Sequence, residues 1–125
     1  MLVTLFCAAS EAEAAQKSVT SKPVILRVLA EQDIEQASLH YLTEGGEALA
    51  LDFIEEAEQA FRRIGRNPAI GSPRYAYELG LEGLRVWPLR RFPYLVFYIE
   101  QPDALDVWRV LHGQRDIPAW MQSSE

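Results

Sequence analysis

Lysine disappears from this chain after position 22. Lys17 and Lys22 are the only two, and every later basic residue is arginine. A protein whose main work is to grip nucleic acid non-specifically mixes lysine with arginine along its groove. Arginine alone is better matched to planar, bidentate recognition of carboxylates and particular phosphates. Cysteine is almost absent too: Cys7 stands alone, which excludes an intrachain disulfide and a cysteine-based zinc site. A reducing compartment, the cytoplasm, fits that usage best. The two histidines, His40 and His112, lie on different segments without close acidic or histidine neighbours at ligand spacing, so no metal is expected. "GSPRYAYELGLEG" fits neither the P-loop nor the dinucleotide fingerprint, and no Ser-His-Asp set can be named from spacing. These absences leave no cofactor to expect. No apolar run approaches the ~20 residues that span a bilayer.

What is present is a chain of 125 residues, 49% apolar, enough for one packed domain and too short for two ordinary ones. The net charge of -6 conceals a polarity. Residues 1–61 hold eleven acidic groups against three basic ones, whereas residues 62–115 hold nine arginines against five acidic groups. An anionic partner for the second half is one reading, and a solvated charged surface is the other. Residues 1–22 begin with the apolar run Met1–Ala9 but lack the positive start of a signal peptide. They are read as a flexible extension, or as the product of a start codon placed too early. The domain is expected over residues 23–120, and 121–125 form a tail.

Within the domain, "PVILRVLA" from Pro23 to Ala30 has the β-branched apolar content of a strand. Ile34, Ala37, Tyr41 and Leu42 then recur at helical spacing, ending at Gly45-Gly46. A second helix is predicted from Glu47 to Arg66, where Ala50, Phe53, Ile54, Ala57, Phe61 and Ile64 alternate at intervals of three and four. Acidic residues lead it, and Arg62, Arg63 and Arg66 close it against the helix dipole. So short a glycine link makes the two an antiparallel hairpin. "NPAIGSPRYAYELGLEG" reads as a loop with a short strand near Tyr77. Three strands follow at Leu84–Leu89, Tyr94–Glu100 and Leu105–Leu111, with turns at "RRFP" and "QPDA". The sum is a small α+β domain, β-α-α-β-β-β, its hairpin packed on one face of a mainly antiparallel sheet.

Alternation along the strands predicts which residues face outward. The purely apolar sets, Leu84 with Val86 and Leu95 with Phe97 and Ile99, are assigned to the helix-covered core. That leaves Arg85, Trp87, Tyr94 and Tyr98 on an open face. Arg109 is placed with them because burying an unpaired arginine is costly. An open face of arginines and aromatics suits a docked partner, while the bland alternative is side chains lying over an exposed sheet. "RVLHGQRD" adds His112, Arg115 and Asp116 at the end of the last strand. A histidine that titrates near neutrality beside arginines could serve phosphodiester cleavage. Without a nucleophile signature, it equally reads as the polar terminus of a strand.

The series "LAEQDIEQASLHYL", "NPAIGSP", "GLRVWPLRRFPYLVFY" and "DVWRVLHGQRD", in that order, resembles the ParE branch of the RelE/ParE toxin superfamily from Val24 to about Trp120. The resemblance implies the toxin of a type II toxin–antitoxin module of the plasmid-maintenance kind. Such a toxin would inhibit growth by poisoning DNA gyrase without being an enzyme. It would be neutralised by a ParD-like antitoxin whose C-terminal segment lies over the hairpin and sheet, and it would meet DNA only through the antitoxin complex. The partner-binding residues would then be Arg85, Trp87, Tyr94, Tyr98, Arg109 and Arg115. The sister RelE branch is a ribosome-dependent messenger RNA endonuclease. Arg85 and Arg115 match arginines of that branch, but its acid–base lysines have no counterpart here, and His112 would have to supply the proton transfer. The stretch of about 22 residues ahead of the first strand departs from both branches.

Overall fold

The computed structural model describes residues 22–113 and Ile117. The expectations for the N-terminal extension before Lys22, for Arg115 and Asp116, and for the C-terminal tail lie outside the described residues. In chain order the elements are strand β1 (Val24–Leu26), helix α1 (Val28–Arg66), a 3-10 turn (Pro68–Ile70), helix α2 (Arg74–Leu79), and strands β2 (Leu84–Pro88), β3 (Tyr94–Glu100) and β4 (Leu105–His112). The sheet order is β1-β4-β3-β2. β2, β3 and β4 form an antiparallel meander, and β1 pairs with β4 in parallel. This is the α+β architecture that the sequence pattern predicts.

The helical stretch α1 is broken at Gly46, whose φ of 82° and ψ of -173° no helix contains. Glycine carries no Cβ penalty at such an angle. Tyr41 and Phe53, twelve residues apart, would lie about 18 Å apart along one straight helix. Their rings are instead 5.3 Å apart, so the chain reverses at Gly46 and the two arms form the predicted hairpin. Two local expectations are corrected. The first strand stops at Leu26, and helix begins at Val28, because buried Ala30 already belongs to the face of Ile34 and Ala37. Around Tyr77 the chain forms a helix rather than a strand: Tyr75, Ala76 and Leu79 pack together under the sheet, and left-handed Gly80 closes the turn.

The assignment of sheet faces is inverted. Tyr94, Val96 and Tyr98, with half-buried Trp87, face the hairpin and share its core with Phe53, Phe61 and Ile64. Leu84, Val86, Phe97 and Leu111 face the other way, under α2 and Ile117. Volume explains the choice. The hairpin presents Ala30, Ala37, Ala57 and Ala60 to the sheet, and small residues on one layer need large ones opposite to reach interior packing density. The aromatic face supplies them. Both faces are therefore covered, and the open arginine–aromatic face is not formed.

Arg109 is likewise buried, with its side chain only 4% exposed. At this point β4 carries a β-bulge: Phe97 pairs with Arg109 and Tyr98 with Val107, so Trp108 is left without a partner on β3. A bulge resets the alternation and re-aims side chains. Arg109 meets Asp33 of α1, donating from Nε at 2.7 Å and Nη2 at 2.8 Å, while the Val110 amide donates to the same carboxylate at 3.0 Å. β1 ends at Leu26 opposite Val107, so Asp33 accepts a β4 amide that no strand reaches. The premise that an unpaired arginine is costly to bury holds; the partner lies 76 residues away. Asp33→Ala is expected to lower unfolding free energy by about 3–5 kcal/mol, because it leaves a buried charge uncompensated. Urea denaturation measures this, and a loss below about 1 kcal/mol would count against the pair's organising role.

Candidate partner-binding surface

The residues proposed for docking mostly hold the fold together. Tyr98 is fully buried; its hydroxyl donates to the Pro68 carbonyl at 2.7 Å and accepts from the Gly71 amide at 3.0 Å. Arg85, its cross-strand neighbour, donates from Nη1 to the carbonyls of Gly71 at 2.7 Å and Ala69 at 3.3 Å. Together they pin the loop between α1 and α2 onto the sheet. Gly71 is required there, since a Cβ would come within 2.6 Å of the Tyr98 hydroxyl. Tyr94 packs edge-on against Phe53 and His112, at 5.4 and 5.2 Å between ring centroids. Tyr94, Tyr98 and Arg109 are thus withdrawn as direct contact residues, and of the five that are described, Arg85 and Trp87 keep partial exposure.

The nuclease constellation is not assembled among the described residues. Arg85 pairs across the sheet with Tyr98, and His112 pairs with Tyr94. Those partners are four positions apart on β3, a separation of about 13 Å along the strand. Arg85 also donates from Nη1 to loop carbonyls. His112 is half-buried and ring-packed, as in the strand-terminus reading. Among the described residues no three His, Cys, Asp or Glu side chains converge on a point. No helix among them is long and apolar enough to cross a membrane.

Among the described residues, exposed large apolar side chains gather on the hairpin's outside. Val28, Leu39 and Leu42 are 66%, 61% and 45% exposed on the first arm, and Leu51 is 55% exposed on the second. At 100° per residue, Val28, Leu39 and Leu42 fall on one side of their arm, away from Ile34 and Ala37. Leu42 was expected in the buried face and is corrected to this outer stripe. The signal was legible: Leu39 breaks the Ile34 periodicity and has no place in a single buried face. Near the sheet edge, Ile25 is 48% exposed, and the Arg27 guanidinium lies 3.8 Å over the Trp108 ring while pairing with Asp106.

A helical hairpin over a mixed sheet, with an exposed apolar stripe on the hairpin, defines a small α+β domain. The family model for the ParE toxin of the type II toxin–antitoxin system, parDE, matches residues 24–117. The chain belongs to the ParE toxin family. Among solved structures it is similar in fold to a chain described as "Chromosomal ParDE TA system from P. aeruginosa". The TM-score is 0.63 at 17% identity, over 74% of this chain and 97% of that one. No curated protein matches the sequence significantly.

Burial, above all, raises the Tyr98 hydroxyl beyond its ordinary value of 10.0, against the lowering effects of the Gly71 amide and Arg85. The folded pKa exceeds the unfolded one, so this contribution to stability is full below pH 10 and fades as pH rises through the raised value. Tyr98→Phe is expected to cost about 1–3 kcal/mol at neutral pH, as it orphans buried backbone groups. It should also flatten the alkaline decline. Urea unfolding at neutral and alkaline pH checks both, and an unchanged alkaline slope would refute the assignment. Tyr41, likewise raised by burial and then by Tyr94, should leave part of the decline in that variant.

Proposed function

We propose that this chain arrests growth by poisoning DNA gyrase through protein–protein contact, and that a co-expressed ParD-like antitoxin holds it inactive. Membership of the ParE toxin family is the observation that carries the reading. The similar fold solved as part of a ParDE system supports an antitoxin as partner. The exposed stripe of Leu39, Leu42 and Leu51 is the proposed seat for the antitoxin's apolar side chains, as exposed patches of this kind mark interaction sites. Cytoplasmic action follows from that target.

The messenger RNA nuclease reading loses support because Arg85 on β2 and His112 on β4 flank β3 opposite Tyr98 and Tyr94, four positions apart. A nuclease needs its arginine and its acid–base group around one phosphate.

Inducing the chain without antitoxin tests the proposal in cells. DNA-damage signalling is expected before any loss of messenger RNA, and rapid transcript cleavage without damage signalling would reject it. His112→Ala should retain toxicity; a folded, antitoxin-binding variant that is harmless would restore the nuclease reading. Leu39→Glu combined with Leu42→Glu should weaken antitoxin binding at least about tenfold, since each change places a charge where an apolar contact is buried. Calorimetric titration gives the number, and unchanged affinity would move the antitoxin elsewhere.

A further inference from the structure

The end of α1 holds a feature that neither the hairpin stripe nor the gyrase reading uses. Gln59, Arg62, Arg63, Arg66 and Asn67 line an open cavity of about 520 Å³ on the flank of the second arm. Arg62 is engaged by Glu58 at 3.2 Å. Arg63 and Arg66 are exposed, and no hydrogen bond or ion pair of either guanidinium is found among the described residues. Lys22, whose backbone reaches Gly65 nearby, is committed to Glu100 at 2.8 Å. The helix terminus carries the equivalent of roughly half a negative charge, which the Arg63 and Arg66 guanidiniums more than offset. In a chain of net charge -6, this is a local reversal of sign.

The lining favours one class of occupant. It contains no aromatic or aliphatic side chain, so an acidic protein segment would find no apolar pocket for an anchor residue. Unstacked bases of a single strand would find no ring to stack on. A duplex backbone needs neither: guanidiniums and side-chain amides are its ordinary phosphate contacts. From this we infer that the Arg62–Arg63–Arg66 groove binds the phosphate backbone of duplex DNA, with Arg63 and Arg66 each holding one phosphate. Two guanidiniums give a local contact, in keeping with a chain that lacks the lysines of an extended groove. DNA binding by the toxin itself departs from what the family resemblance implies, that DNA is met only through the antitoxin complex. The inference does not depend on gyrase being the target, because it concerns the toxin and DNA alone.

Fluorescence anisotropy of a short labelled DNA duplex with the full chain, titrated across a range of salt, tests it. The chain should bind, and Arg63→Gln with Arg66→Gln should lower the slope of log affinity against log salt by about 1.8, at 0.9 per phosphate. Affinity at ~0.1 M salt should fall at least about tenfold. Arg63→Lys with Arg66→Lys keeps both charges and should keep the slope, which separates a lost contact from a damaged fold. Arg74→Gln, an exposed arginine on α2, should change nothing. Absence of duplex binding by the parent chain, an unchanged slope in the double glutamine variant, or equal displacement by polyglutamate or single-stranded RNA would each overturn the inference.

Discussion

The Asp33 carboxylate organises this molecule. It accepts two bonds from Arg109 and one from the Val110 amide. It thereby joins the first arm of the hairpin to the central strand just past the end of β1. Charges removed from water attract strongly only when geometry is good and their remaining donors are satisfied. The bidentate pair, with a backbone amide on the same carboxylate, meets that condition. The bulge at Trp108 re-aims Arg109 toward it. Once arm and strand are joined, the alanine face of the hairpin lies over Tyr94, Val96 and Tyr98, and the rest of the packing follows from volume.

The second consequence is at the loop between the helices. Tyr98 and Arg85 leave the sheet as polar groups and end on the carbonyls and amide of residues 68–71. Residue types that suggest a docking face are consumed by the domain's own backbone. What the fold leaves outward is of a different kind: an apolar stripe on the hairpin and a basic groove at its end.

Much of the architecture was legible. The three-and-four spacing from Ala50 to Ile64 marks the second arm, Gly45-Gly46 marks the reversal, and the bounds of β3 match the predicted ones. The faces of the sheet were not legible, because β3 is apolar or aromatic on both sides and alternation alone cannot rank them. Arg109 was misplaced for a different reason. Its partner is distant in sequence, and the bulge that turns it leaves no signal in a period-two pattern. The helix α2 was missed because six residues are too few to show periodicity. Of the candidate site, the aromatic and arginine residues were found but their role was not, whereas Leu39 could have been recognised as an apolar residue off the buried face.

The proposed action of this toxin is contact with DNA gyrase, not cleavage of RNA. It is tested most directly by incubating the purified chain with purified DNA gyrase and supercoiled plasmid, then quenching with detergent and protease. Linear plasmid, the product of a trapped gyrase–DNA cleavage complex, is expected to increase with toxin concentration and to be absent when antitoxin is added. Undiminished supercoiling with no linear product, at toxin concentrations that arrest growth, would contradict it.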